Sequence, residues 1–174
     1  MSDDERENVG QQFGRLPATD ADREVEGRAS REAVIDFFAD RFGIDPAVFA
    51  EFTFWEKGKG KIWIFADDAP SPISVEGLGM TVLRTRQEHW KPTQSAIQRF
   101  GRHATKNVFE IDGEAAAAFA RGEDQELDWD GDWGYLIAAH DLGGEREPIG
   151  VGLYVYGELR STVPKGNQES LSPL

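Results

Sequence analysis

The chain contains no cysteine, which excludes disulfides, thiolate metal sites and a cysteine nucleophile. No apolar run approaches the ~18 residues that a membrane-spanning helix needs. The opening MSDDERENVG is acidic and polar and has neither the basic start nor the apolar stretch of a secretory signal, so a cytoplasmic protein with no membrane role is expected. G-x-S-x-G, a phosphate-binding P-loop and a G-x-G-x-x-G after a strand are all missing, which removes support for hydrolase, nucleotide and dinucleotide chemistry. His89, His103 and His140 lie too far apart for a local metal motif. Asp128, Asp130 and Asp132 copy the first spacings of a calcium loop, but its sixth position is Trp133 and its twelfth Ala139. No enzyme, cofactor or metal is expected. Positive charge is also scarce: 19 Lys and Arg stand against 32 Asp and Glu, a net charge of −13.

The 174 residues hold one ordinary domain or two small ones. A hydrophobic content of 39% with 11% aromatics supports a folded core, whereas 29% charged residues and a mean hydropathy of −0.52 imply a very polar surface. Two explanations fit so acidic a chain. One is a surface adapted to high salt, as in halophiles; the other is a face that binds a basic partner.

Residues 1–27 are polar with little to bury and are read as a disordered acidic arm. Ser30 is a helix cap, after which Val34, Phe37, Phe38 and Phe42 recur at helical spacing until Gly43. Asp45-Pro46 starts a second short helix to about Glu51. Phe52 to Phe65 reads as an aromatic hairpin around Lys57-Gly58-Lys59-Gly60-Lys61, whose lysines are assigned to solvent. The polar loop Ala66 to Pro72 is the expected domain boundary. Met80 to Arg86 is a strand, Thr93 to Phe100 a helix ended by Gly101, Val108 to Ile111 a strand, and Glu114 to Arg121 an alanine-rich helix capped by Asp112. The acidic loop Glu123 to Asp132 follows, with one tryptophan expected to tuck inside.

Gly134 to Lys165 then organises the rest. Tyr135 to His140 is one strand. In the next, Ile149, Val151, Leu153 and Val155 alternate with Gly150, Gly152, Tyr154 and Tyr156, a period of two. Gly157-Glu158 fits a tight turn, and Leu159 to Val163 returns before Pro164 closes the meander. Glycine inside a strand weakens it by roughly 0.5–1 kcal/mol relative to Ala. Gly150 and Gly152 therefore mark either a crowded bend or the close approach of a flat ligand.

PIGVGLYVYGELRSTVPKG resembles the final strands of the PUA domains at the C-terminal end of RNA cytosine-C5 methyltransferases of the NOL1/NOP2/sun family. Upstream, Lys91-Pro92-Thr93 before a helix, Ala104-Thr105-Lys106-Asn107-Val108 entering a strand, and the alanine-rich helix ending at Arg121-Gly122 follow the opening of that domain. The likeness covers roughly Val75 to Gly166. It implies a small RNA-binding pseudo-barrel. The family's cysteine chemistry and cofactor domain are not carried over, since this chain has neither the thiol nor the length. Helices and a hairpin ahead of such a domain also resemble, in architecture, the archaeal and eukaryotic ribosome assembly factors built from a pre-PUA and a PUA domain.

An α+β protein is thus expected: a small N-terminal α/β domain at 28–70, a PUA-like mixed β pseudo-barrel with flanking short helices at 73–166, and a flexible tail at 167–174. Arg84, Arg86, His89, Lys91, Arg99, Arg102, His103 and Lys106 form a basic cluster in an acidic chain, joined by Arg160 and Lys165. Under the resemblance these would line one groove with Gly150 and Gly152, the cations holding phosphates and Trp90 and Tyr154 stacking on unpaired bases. The expected partner is RNA, ribosomal or transfer, together with ribosomal or RNA-modification proteins. The competing readings are an acidic protein-interaction module and an accessory subunit of a separate RNA methyltransferase.

Overall fold

The computed structural model describes residues 12–25 and 27–162, with nothing said of the Leu142 side chain. The chain divides into two compact units, Met1–Lys91 and Pro92–Leu174. The loop at 66–72 is therefore not the boundary. Ile73, just beyond it, exchanges backbone hydrogen bonds with Phe13 (2.8 and 3.0 Å), which ties the loop into the first unit.

The first sheet runs in chain order through β1 (Gly14–Arg15), β2 (Thr53–Glu56), β3 (Lys61–Phe65) and β4 (Met80–Arg84) of the N-terminal unit to β5 (Lys91–Pro92), the two residues at the division. The arm expected at 1–27 is corrected for its described part: β1 pairs with β2, and Phe13 and Leu16 are 0% and 4% exposed. Residues 1–11 and 26 lie outside the described residues. Helix α1 (Arg31–Phe42) begins where Ser30 Oγ accepts from Ala33 N (3.0 Å) and ends at Gly43, whose φ of 64° suits the left-handed cap. Its Val34, Ile35, Phe38 and Phe42 are buried, and Phe38 continues through Phe49 to Phe54 in ring contacts of 5.4 and 5.9 Å. Asp45 and Pro46 start a 3₁₀ turn, Pro46–Phe49, shorter than the helix expected there.

The C-terminal unit contains α2 (Gln94–Phe100), β6 (Val108–Glu110), α3 (Gly113–Ala120), β7 (Gln125–Glu126), β8 (Gly134–Leu142), β9 (Glu145–Val155) and β10 (Glu158–Ser161). The sheet order is β6-β8-β9-β10-β7; β6 runs parallel to β8 and the other pairs are antiparallel. Its core joins Phe109, Ile111, Phe119, Leu136, Ala138, Tyr154 and Leu159. The final strand is a residue out from expectation because the turn is Tyr156-Gly157, both at positive φ (53° and 76°), the geometry of a two-residue type I′ hairpin. Val163 and Pro164 lie outside the described residues.

The strand glycines report crowding. A Cβ on Gly150 would meet Gln94 Oε1 at 2.4 Å and Phe119 at 3.0 Å, and one on Gly152 would meet Leu159 at 2.7 Å. Gln94, 5% exposed, accepts from Val151 N (3.1 Å) and donates to Val151 O (3.3 Å) and Thr162 Oγ1 (3.0 Å). Its amide thus continues the β9 ladder at the end of β10. Replacing Gln94 by Ala strands a buried N–H and should cost about 1–3 kcal/mol. Gly150→Ala should cost a similar amount, about 1–3 kcal/mol, by overpacking. Because both act on one space, Gly150→Ala should cost less in the Gln94→Ala background. Denaturant titration of the two single variants and the double variant, with amide exchange read at Val151, measures that coupling; strict additivity would show that the two residues do not compete for the site.

Candidate nucleic-acid interface

The cations of the expected groove fall on both units. Arg84 ends β4 and Arg86 follows it, both exposed. Their neighbours His89 and Trp90 precede β5; His89 is exposed, and the half-buried Trp90 ring lies 5.8 Å from that of Phe37, tilted by 41°. Lys91 is half-buried, and its pKa is lowered first by burial and second by the charge of Arg84. A lysine so placed favours folding less when charged, and a nearby anion would reverse the effect.

On the C-terminal unit, Arg99 closes the exposed face of α2, with its guanidinium over the Phe100 ring at 5.6 Å. Arg102 and His103 sit on the 3₁₀ turn Gly101–His103 and Lys106 just after it, all three exposed. Two contacts hold that turn against β9: Gly101 faces Pro148 with no room for a Cβ (2.9 Å), and Arg146 donates to Ala104 O (2.9 Å). Arg102 approaches Glu147 at 3.9 Å. Arg160 lies on β10 opposite Leu153 and donates to Glu158 (3.2 Å). Glu147 and Leu153 are six residues apart on β9, so at ~3.3 Å per residue the Arg102 and Arg160 contacts are separated by roughly 20 Å. The helix and last strands do meet, through Gln94 and Thr162 (3.0 Å), but their cations do not converge on one point. Lys165 lies outside the described residues.

Three assignments are corrected. Tyr154 is 5% exposed in the core and its hydroxyl donates to Trp129 O (3.2 Å), so the ring has no free face for a base. Gly150 and Gly152 are filled from inside the unit, by Gln94 with Phe119 and by Leu159, and open no surface to a ligand. Among the described residues the exposed aromatics are two others, Trp133 (48%) and Tyr156 (78%), whose ring centroids are 4.5 Å apart. The signal for them was Tyr156-Gly157 as a turn: once Tyr156 leaves the strand alternation, its side chain stands at the hairpin tip. Trp129 is the tryptophan that packs inward. The acidic run Asp128, Asp130 and Asp132 leads up to Trp133 in sequence.

Among the described residues, no group of three or more His, Asp or Glu is arranged to hold a metal ion, and no helix is long and apolar enough to cross a membrane. Residues 1–79 match the model of a family of unknown function (DUF7122). No curated protein matches the chain. Residues 106–167 match the model of the methyltransferase RsmF PUA domain, so the C-terminal unit carries a PUA-like domain, and that likeness supports RNA as its partner in a setting of RNA modification.

Proposed function

We propose that the protein is a cytoplasmic, non-catalytic RNA-binding protein that acts in ribosome assembly or in rRNA or tRNA modification. The match of residues 106–167 to the methyltransferase RsmF PUA domain carries this reading. The exposed cations Arg99, Arg102, His103, Lys106 and Arg160 supply the phosphate contacts. Base stacking, which a buried Tyr154 cannot provide, passes to Trp133 and Tyr156.

The second reading, a module for a basic protein or an accessory subunit of a separate RNA methyltransferase, draws on the same aromatic pair. Two exposed rings that follow an acidic run in sequence also suit a cationic side chain. Pull-down from extract with and without nuclease separates the two: loss of the bound material on nuclease treatment supports RNA, and its survival supports the protein partner.

Phosphate contacts release counterions, so Arg102→Gln, Lys106→Gln and Arg160→Gln should each lower the log–log salt slope for a single-stranded oligoribonucleotide by roughly 0.7. The loss should be similar for different sequences, since phosphates carry no base information. Fluorescence anisotropy between low and moderate salt measures it, and three wild-type slopes would move the contacts elsewhere.

Tyr156 gives a separate test. A tyrosine at φ 53° is in a conformation that costs most L-residues roughly 1–2 kcal/mol, whereas Asn before Gly suits a type I′ turn. Tyr156→Asn should therefore raise the melting temperature while weakening RNA binding by about 1–3 kcal/mol with an unchanged salt slope. Greater stability with full affinity would remove the stacking role.

A further inference from the structure

The hairpin Lys57-Gly58-Lys59-Gly60-Lys61, read from sequence as a solvated tip, is built into a cationic surface of the N-terminal unit. Lys61 is the direct antiparallel partner of Arg84, so two like charges stand opposite each other on one face of the sheet. Such a pair destabilises a sheet unless something offsets it. Arg86 is brought to the same place by Gly60. That residue has a φ of 77°, and the position its Cβ would occupy lies 2.3 Å from Arg86 Cγ, so the arginine's aliphatic stem lies where a side chain would be. Thr85 N donates to Gly60 O (2.9 Å) and fixes this approach. Lys59 is exposed at the tip.

None of the ion pairs among the described residues involves Lys59, Lys61, Arg84 or Arg86. This is unusual in a chain of net charge −13. Glu56, at the base of the same hairpin, is turned inward to Arg28 (2.7 Å) and Gly60 N (3.0 Å). Glu88, exposed in the following loop, makes no ion pair with the four. On the C-terminal unit, by contrast, Arg102 and Arg160 each have a carboxylate beside them. Lys57 is different again: its ammonium donates to Val75 O (3.1 Å) and Glu76 O (3.2 Å) and lies over Phe13 at 5.2 Å, so it belongs to the fold.

We propose that Lys59, Lys61, Arg84 and Arg86 form a second RNA site, a phosphate-binding patch on the β3–β4 end of the N-terminal unit. The opposed cations are held together by the strand register and by Gly60; the Trp63 ring, 5.3 Å from Lys61 Nζ, offsets part of the Lys61 charge, and a bridging phosphate backbone relieves the repulsion that is left. Half-buried Lys91, next along the sheet and under the influence of Arg84, gains from the same anion. That the polyanion is RNA rests on the preceding reading; that the patch binds a polyanion rests on its own geometry.

The test uses the full chain and a labelled single-stranded oligoribonucleotide of mixed sequence. The variant Lys59→Gln/Lys61→Gln/Arg84→Gln/Arg86→Gln keeps the stem of residue 86 on Gly60, and circular dichroism establishes that it is folded. Its log–log salt slope should fall by about 2–3, at roughly 0.7 per contact, while Lys57→Gln leaves the slope unchanged. An unchanged slope in the quadruple variant overturns the patch. If Arg102→Gln/Lys106→Gln/Arg160→Gln retains the wild-type slope while the quadruple variant loses it, the patch stands and the placement of contacts on the C-terminal unit falls. Absence of RNA binding by the unmodified chain overturns both. Competition by polyglutamate equal to that of RNA at matched charge also overturns the proposal, because the patch is then a dock for acidic protein.

Discussion

The carboxylate of Glu56 lies at the closed end of the β2–β3 hairpin, 5% exposed. A carboxylate removed from water is costly unless its partners replace the lost hydration. Here Arg28 Nε supplies a charge-assisted hydrogen bond of 2.7 Å to one oxygen, and Gly60 N–H donates at 3.0 Å to the other. Gly60 reaches it at a φ of 77° that favours glycine, and the same absent side chain leaves the space taken by Arg86. One buried acid thus fixes the tip, the tip fixes the register that sets Lys61 opposite Arg84, and the register gathers the cations. Removing either charged partner leaves the other uncompensated, which in buried pairs costs on the order of 3–5 kcal/mol.

The other buried polar side chains named in the core, Ser30 and Gln94, act in the same way. Ser30 Oγ donates to Asp20 Oδ1 (2.6 Å) while capping α1, and so ties the incoming chain to the helix start. Gln94 ties α2 to β9 and to Thr162. Apolar burial gives each unit its stability but is non-directional. These few directional bonds decide which residues face each other, and therefore where the surface charges fall.

Features set by local chemistry were legible in the sequence. Ser30, Gly43, Asp45-Pro46 and Thr93 mark their helix ends, and the period of two in β9 gives the strand. What alternation cannot give is which face is inside, because Val151 and Tyr154 are both buried from opposite faces of the same strand. Alternation alone therefore leaves the Tyr154 ring free to stack and keeps Tyr156 in the ladder. Composition hides the N-terminal segment because it averages over many polar residues, whereas Phe13 and Leu16, the β1–β2 pairing and the Arg15–Asp68 ion pair dock it. The loop at 66–72 looks like a linker in sequence because its ties are distant: Ile73 bonds the Phe13 backbone, and Asp68 and Ser71 meet Arg15, more than fifty positions earlier. The neighbours of the lysine hairpin are hidden in the sequence for a related reason. Its partners Arg84 and Arg86 are more than twenty positions away in sequence, and only the β3–β4 register brings them opposite.

The acidic surface and the basic patches are compatible because electrostatic influence is short-ranged in salt. At physiological ionic strength the screening length is about 8 Å, and at 1 M it is about 3 Å. Carboxylates on other faces therefore do little to neutralise the β3–β4 cations, while contact-range pairs survive. At low salt the remaining negative surface repels a polyanion everywhere except at the patches and so orients its approach. At high salt that steering disappears, and the proposed binding would rest on direct hydrogen bonds, for which the planar donor forks of Arg84 and Arg86 are better suited than the point charges of Lys59 and Lys61. In the proposed patch all four cations would add long-range attraction that fades with salt, and the two arginines would add to it a contact geometry that persists.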